Sequence, residues 1–237
     1  MPALPKIPII EDLTKGQVPP GSNVLIEFDP ASQWYNASTT IAAGWLRGGG
    51  KVSYLAEAQP PDDIRERLRM LGLNPESLEE ADQLWITDVY TAGLIGGKPK
   101  EKFAIDSLKV SDLSIWMGKE VSNEPPAPDF LIIADNISTL DRFNEEKSWV
   151  EFVLARAFPM ARRRRITQIT GIIAGIHSER AYKQLEAAHA GNIDFTVEQV
   201  GGEWKNFITV RSMRDVRHDS RPHPLKVDEN LQVTLEK

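Results

Sequence analysis

Short apolar runs alternate with helix-compatible stretches through most of this 237-residue chain. Turn-forming Gly, Pro and Asp residues bound the apolar runs, as is typical of strands. The pattern predicts strands at residues 23–28, 51–56, 84–89, 130–134 and 169–176. It predicts helices between them at residues 37–47, 61–71 and 145–157. Strands and helices that alternate in this way predict an α/β domain with a mostly parallel central sheet flanked by helices.

The C-terminal part of the chain has a different pattern. Three strand-like stretches, at residues 193–199, 203–213 and 230–235, follow one another through Gly- or Pro-containing turns. They predict a small antiparallel β extension on the parallel sheet. We expect one domain over residues 1–237, with an N-terminal segment at 1–22 and a C-terminal β region at 193–237. Loops are predicted at residues 90–100 and 125–128.

Composition narrows the classes of protein to which the chain can belong. The net charge of −6 argues against a general binder of nucleic acid or anionic membranes, because phosphate neutralisation needs an excess of Lys and Arg. The absence of cysteine excludes disulfides and thiolate chemistry, and it favours a cytoplasmic protein. No apolar run approaches the ~18 residues of a membrane-spanning helix, so we expect no membrane insertion. The spacing of the histidines does not favour a zinc site.

Three segments and one aspartate suggest a family. The segments are a glycine–proline turn and strand at residues 14–26, a strand and helix at 46–73, and a terminal β region from 192 to His218. Their order and spacing resemble the KaiC-like branch of the RecA-type ATPases over nearly the whole chain. Asp135 ends an apolar strand where that family keeps its Walker B aspartate. The resemblance implies a RecA-like fold and a nucleotide site.

The loop after the first strand departs from this resemblance. A phosphate-binding loop needs glycines for close backbone N–H contacts, a lysine for the β/γ charge, and a Ser or Thr for Mg²⁺. The corresponding stretch, residues 28–36, has no glycine and no lysine. Trp34 stands about where the lysine belongs, and Asp29 adds negative charge where a phosphate would lie. The residues of this degenerate loop are Asp29, Pro30, Ser32, Trp34, Tyr35 and Asn36.

Two other positions implied by the resemblance also differ. Relatives have adjacent glutamates after the second strand, one of which activates the attacking water, whereas here Glu57 is the one candidate for a residual base. Relatives carry a Lys-x-Arg pair that reaches a neighbouring subunit's phosphates, and this chain keeps the arginine, Arg214. Asp135 remains a candidate metal ligand, but no bound phosphate would hold Mg²⁺ beside it. Losses at three parts of one site predict a chain that does not hydrolyse ATP.

These differences lead to three hypotheses about function. The first is a pseudo-ATPase that binds no cofactor and acts as a regulatory or scaffolding subunit. Its partner would be a second copy or an active KaiC- or RecA-like paralogue, and Arg214 would act in trans on a neighbour's nucleotide. The second is a weak ATPase that binds ATP and Mg²⁺ through a non-standard loop, with Asp135 on the metal and Glu57 as base. The third is an accessory factor that binds single-stranded DNA.

A basic cluster near residue 160 bears on the third hypothesis. It consists of Arg162, Arg163, Arg164 and Arg165. These arginines could contact phosphates of a nucleic acid or an acidic partner. They could instead be cations favoured near a helix C-terminus and paired with nearby acids such as Glu145, Glu146 and Glu151. We favour the second interpretation because the chain as a whole is acidic.

Two further sites have both a functional and a structural interpretation. Trp34 and Tyr35 are predicted either to contact a partner or to fill the empty nucleotide cleft, since large aromatic side chains suit both roles. His177 ends the strand at residues 169–176, where RecA-like folds often hold a residue that senses nucleotide. Without a phosphate-binding loop, we expect His177 to be a structural histidine.

Overall fold

Nine strands and seven α-helices form in the described part of the chain, which covers residues 4–91, 101–120 and 127–236 of the computed structural model. The strands are β1 (Asn23–Phe28), β2 (Lys51–Ala56), β3 (Leu84–Asp88), β4 (Phe130–Ala134), β5 (Thr167–Ile173), β6 (Gly191–Val200), β7 (Glu203–Met213), β8 (His223–Val227) and β9 (Val233–Leu235). The helices are α1 (Trp34–Arg47), α2 (Pro61–Met70), α3 (Pro75–Glu80), α4 (Val110–Glu120), α5 (Glu146–Phe152), α6 (Phe158–Arg163) and α7 (Glu179–Ala188). A 3-10 helix spans Ile137–Arg142, and a π-helical turn, Val153–Ala157, joins α5 to α6.

All nine strands belong to one sheet, in the order β3-β2-β4-β5-β1-β6-β7-β8-β9. From β3 to β6 every neighbouring pair is parallel. Strands β7, β8 and β9 are each antiparallel to the strand before them. The predicted α/β fold, a mostly parallel sheet with an antiparallel C-terminal extension, is therefore confirmed.

The element boundaries agree with the sequence pattern in some places and differ in others. The strands predicted at 23–28, 51–56, 130–134 and 203–213 are confirmed. The first helix begins earlier than predicted, at Trp34, and the helix predicted at 145–157 continues through the π-helical turn to Arg163. The strand predicted at 169–176 ends at Ile173. Residues 92–100 and 125–126 of the two predicted loops lie outside the described residues.

Two apolar layers bury the two faces of the sheet. On one face, Ile41 and Trp45 of α1 belong to the same buried cluster as Tyr54 of β2. On the other face, Trp149 of α5 and Ala134 of β4 belong to a second buried cluster. In the described part of the chain, no helix combines the length and apolarity needed to cross a bilayer. Because helices cover both faces of the sheet, the carboxyl ends of the parallel strands lie at one edge between two helical layers. Open α/β sheets bind ligands at this position.

Candidate functional site

The loop between β1 and α1 turns its backbone N–H groups toward acceptors within the chain. The Ala31 N–H donates to a carboxylate oxygen of Asp29 at 2.7 Å, and the Ser32 N–H donates to the Asp29 carbonyl at 2.8 Å. The Gln33 N–H donates to the side-chain oxygen of Asn206, on β7, at 3.1 Å. In a phosphate-binding loop, successive N–H groups of this kind surround the phosphate. Here Asp29 and Asn206 supply the acceptors.

Trp34 begins α1 and points into the protein. Its side chain is fully buried, and its indole N–H donates to the carbonyl oxygen of Asp135 at 2.8 Å. Its ring lies 6.1 Å from that of Phe28 and 5.4 Å, edge-on, from that of Phe195, measured between centroids. Trp34 is thus part of the buried core beneath the loop and not a surface residue.

Gly171 on β5 makes room for the indole. A Cβ atom at this position would lie 2.6 Å from the indole nitrogen of Trp34 and 2.4 Å from the carbonyl oxygen of Asp135. Both distances are far below van der Waals contact. The fit of Trp34 therefore depends on a residue without a side chain at position 171.

The remaining residues of the predicted loop have local contacts. Tyr35 is half-buried against the ring of Phe28, and burial raises the pKa of its hydroxyl. Asn36 donates from its amide to the side-chain oxygen of Gln33 at 2.7 Å. Pro30 is exposed, and Ser32 is partly buried. The loop is thus held together by its own side chains, by Phe28 of β1 and by Asn206 of β7.

The carboxylate of Asp135 is enclosed by the loop that follows β2. Asp135 is fully buried, and one of its oxygens accepts the backbone N–H groups of Glu57 at 2.9 Å and Ala58 at 3.1 Å. Its second oxygen accepts the side-chain amide of Gln59 at 3.3 Å. The oxygen of that Gln59 amide accepts in turn from the guanidinium of Arg67. A Walker B aspartate faces Mg²⁺ or its water, whereas these oxygens face donors of the protein.

Glu57 is buried next to Asp135 and shares its environment. One oxygen of Glu57 accepts the Asn136 N–H at 2.8 Å. Burial raises the pKa of Asp135 to about 7, opposed by its three donors. Burial raises the pKa of Glu57 well above its usual range, and the neighbouring charge of Asp135 raises it further. Burial and the neighbouring charge thus both disfavour the ionised form of Glu57, the form that a general base requires.

Replacing Asp135 tests whether its carboxylate is structural. Asp135→Asn keeps an oxygen for the N–H groups of Glu57 and Ala58 but turns an NH₂ group toward the donating amide of Gln59, so we expect the free energy of unfolding at pH 8 to fall by about 1–3 kcal/mol, the cost of one unsatisfied donor. Asp135→Ala leaves these two N–H groups and the Gln59 amide unpaired and should lose at least about 3 kcal/mol, at 1–3 kcal/mol for each of the three unsatisfied donors. Urea unfolding at pH 8 measures both. Equal losses in the two variants would contradict this role.

Arg214 and the basic cluster lie at the other edge of the sheet. Met213, at the end of β7, pairs with Gly191 at the start of β6, so Arg214 follows directly at the edge where the parallel strands begin. Its guanidinium donates to the carbonyl of Ala187, near the end of α7, at 2.5 Å. The cluster Arg162, Arg163, Arg164 and Arg165 lies at the same edge, just before β5 begins. Neither group meets the loop after β1 within one chain.

Two of the acids proposed as partners of the basic cluster, Glu146 and Glu151, have other contacts. Glu146 accepts the backbone N–H of Ser178 at 2.8 Å, and Glu151 lies 3.9 Å from the ammonium of Lys147. Arg162 and Arg163 occupy the last turn of α6, where cations favour the helix dipole.

His177 ties together the ends of β4 and β5. A ring nitrogen lies 2.8 Å from the hydroxyl oxygen of Ser138, which also accepts the Ile173 N–H at 3.0 Å. The imidazole side chain has no exposed surface, and burial lowers its pKa. These contacts suit a structural histidine. Within the described ranges, no group of three or more His, Asp or Glu side chains could hold a metal ion.

Comparisons with known proteins give the family. A family described as "ATPase: KaiC" matches residues 6–236. The UPF0273 protein of Aeropyrum pernix is 24% identical over 227 residues, covering 93% of this chain and 88% of its own. The UPF0273 protein of Methanopyrus kandleri is 25% identical over 236 residues, covering 98% and 91%.

A solved structure agrees with the fold. The KaiC-like protein of the hyperthermophilic archaeon Pyrococcus horikoshii superposes with a TM-score of 0.75 at 18% identity, covering 100% of this chain and 99% of that one. At this identity the likeness concerns the fold alone. Together with the family match over residues 6–236, it leads to one conclusion: the chain belongs to the KaiC-like, RecA-type ATPase family.

Proposed function

We propose that this member of the KaiC family does not hydrolyse ATP and acts as a regulatory or scaffolding subunit through protein contacts. The observation that carries the proposal is the position of Trp34. Its indole fills the space beneath the loop after β1 and donates to the Asp135 carbonyl at 2.8 Å. A lysine at this point supplies the positive charge for the β/γ-phosphates in a phosphate-binding loop, and an indole supplies none.

The electrostatics of the loop support the same proposal. Asp29 presents a carboxylate to the N–H of Ala31, at the point where a phosphate would have to bind. A triphosphate would displace that contact and meet a like charge, which costs free energy at short range. Burial raises the pKa of Glu57 and so disfavours the ionised form that would take a proton from water. Binding of the triphosphate and activation of the attacking water are therefore both disfavoured.

The C-terminal hairpin offers a surface for a partner. Strands β6 and β7 form a long hairpin, and Trp204 near its tip, which pairs with Gln199, is 71% exposed. An exposed Trp is a common anchor of protein interfaces because it offers a large contact area with few rotamers. The proposed partner is a second copy of this chain or an active paralogue, and Arg214 would contact the nucleotide of an active neighbour.

Thermal unfolding with and without millimolar Mg-ATP tests the proposal. A ligand that binds only the folded state adds about 2.7 kcal/mol of stability at a hundredfold excess over its dissociation constant. We expect the unfolding midpoint in Mg-ATP to equal the midpoint in MgCl₂ alone. A saturable rise that disappears in Asp135→Asn would contradict the proposal and favour the weak ATPase.

The DNA-binding hypothesis has a separate test. The arginine cluster lies at the edge of the sheet opposite the loop after β1, so binding there would not need the nucleotide site. We expect the unmodified protein not to shift the mobility of a single-stranded oligonucleotide at low salt. The variant in which glutamine replaces Arg162 and Arg163 should behave in the same way. Salt-sensitive binding lost in that variant would favour the DNA hypothesis instead.

A further inference from the structure

A cavity of about 230 Å³ lies on the face of the sheet away from α1. Its floor is formed by β2, β4 and β5, and its walls by α4, the 3-10 helix and the helix that runs from α5 to α6. We call it the sheet-face cavity. Its walls are mainly aliphatic, with Leu108, Leu113, Leu140 and Val153 among the lining residues. It is thus separated by the sheet from the layer that contains α1.

The floor of the sheet-face cavity carries a row of polar side chains. Ser53 pairs in register with Ile132, which pairs with Gln168. Thr170 follows Gln168 on the same face and lies within hydrogen-bond distance of its amide, at 3.2 Å. Strands buried on both faces of a parallel sheet are normally apolar throughout. Apolar walls with a few convergent polar groups are the usual make-up of a small-molecule site.

The wall opposite this floor contains the π-helical turn. Val153 and Ala157, at its two ends, both line the cavity. A π-helical turn is rare within a helix and is found frequently at functional sites. The wider turn coincides with the cavity, and it gives an observation independent of the polar floor.

The size of the cavity limits its ligand. A cavity of about 150 Å³ lined by apolar side chains takes up benzene, and drug-sized ligands occupy about 300 Å³ or more. A volume of about 230 Å³ lies between these and corresponds to about nine non-hydrogen atoms, in proportion to the six of benzene. We propose that the sheet-face cavity binds a small, uncharged and mainly apolar molecule, of the size of a bicyclic ring, that carries one hydrogen-bonding group toward Ser53 and Gln168.

The charge of the ligand follows from the lining. A charged group would lose its hydration against aliphatic walls, which is costly without a partner. Glu57 borders the cavity at the carboxyl edge of the strands, and burial raises the pKa of its carboxyl. Arg164 lies at the opposite end and is partly exposed. The inference does not depend on the absence of ATP hydrolysis.

Three naphthalene probes separate a binding site from an empty packing defect. We expect 2-naphthol to bind saturably at one site per chain, as measured by its fluorescence. Naphthalene, without the hydroxyl, should bind about fivefold more weakly, since a net hydrogen bond contributes about 1 kcal/mol. The anion 2-naphthoate should bind more weakly than 2-naphthol. The combined variant Ser53→Ala and Gln168→Met should weaken 2-naphthol about fivefold and leave naphthalene within about twofold.

Two alanines of the π-helical turn provide a matched pair of variants. Ala157→Leu places a larger side chain in the cavity and should weaken 2-naphthol more than tenfold. Ala155→Leu makes the same change at an exposed position of the same turn and should leave affinity unchanged. If Ala157→Leu does not fold, Ala134→Val narrows the floor instead. Absence of saturable binding, equal affinity in Ala157→Leu, equal affinities for 2-naphthol and naphthalene, or stronger binding of 2-naphthoate would each overturn the proposal.

Discussion

Trp34→Ala is expected to lower the free energy of unfolding by about 3–5 kcal/mol, the range for deleting a large buried aromatic side chain. The indole is fully buried between the rings of Phe28 and Phe195, and its removal leaves a cavity that these neighbours can fill only in part. The carbonyl of Asp135 also loses its side-chain donor. Urea unfolding at pH 7.5, followed by circular dichroism, measures the change.

Two further tryptophan variants separate the causes of this loss. Trp34→Phe keeps most of the ring and removes the indole N–H, so it should lose about 1–3 kcal/mol through the unsatisfied carbonyl and the smaller volume. Trp204→Ala removes the same side chain type at a position that is 71% exposed, and it should change stability by less than about 0.5 kcal/mol. A loss below about 1 kcal/mol in Trp34→Ala would mean that this indole is not a structural element.

Acidification is expected to destabilise the protein through His189 by up to about 3 kcal/mol between pH 6.5 and pH 4. His189 is fully buried at the end of α7, and burial lowers its pKa to about 4. An ordinary histidine has a pKa near 6.5, so below pH 6.5 the unfolded chain binds a proton that the folded chain refuses. The stability that neutral His189 gives above pH 6.5 is therefore lost as pH falls toward 4.

The local contacts of His189 explain why it stays neutral. Nδ1 lies 2.6 Å from the carbonyl oxygen of Leu185, one turn back in α7, and the ring meets that of Phe158 edge-on at 4.2 Å. Nε2 is buried with no hydrogen-bond partner among the described residues. A proton on Nε2 would place an unpaired cation against Phe158 and near Arg214, whose charge also lowers the pKa.

The measurement compares the unmodified protein with His189→Leu by urea unfolding at several values of pH from 7.5 to 4. Leucine packs against Phe158 but cannot bind a proton. The free energy of unfolding of the unmodified protein minus that of His189→Leu should therefore fall as pH falls. The raised pKa values of Asp135 and Glu57 favour the folded state as pH falls, the opposite sign, but both proteins share this effect and it cancels in the difference. A difference that is constant with pH would exclude His189 as the cause.

Local sequence patterns predicted the strands best where turn residues bound a short apolar run. The strands at residues 51–56 and 130–134 each follow or precede Gly, Pro or Asp and are covered on both faces, so local pattern and tertiary packing agree. Helix α7 was not predicted, because only Ala181 and Leu185 are buried along it. Ser178 was a usable signal in the sequence, because serine is a preferred N-cap residue and its side chain accepts the Ala181 N–H at the start of this helix.

The candidate site could be predicted only in part. The sequence identified Trp34 and Asp135, but the start of α1 at Trp34 has no capping side chain in Gln33, so no local rule indicates it. The acceptor for the Gln33 N–H is Asn206, which lies 173 positions away along the chain. Likewise, nothing near Gly171 in the sequence indicates that its missing side chain makes room for an indole. These contacts arise from the order of strands in the sheet.

The fit between Trp34 and Gly171 limits which residues can replace Trp34. Trp34→Lys, which would move the loop toward the family's usual sequence, would place an ammonium between the rings of Phe28 and Phe195, where an unpaired cation is strongly disfavoured. The neighbouring backbone N–H groups would still be held by Asp29 and Asn206. Trp34→Lys alone would therefore leave these N–H groups without a free hydrogen for a phosphate. Positions 34 and 171 are therefore coupled: a side chain at 171 would need a smaller residue at 34, so the two can change only together.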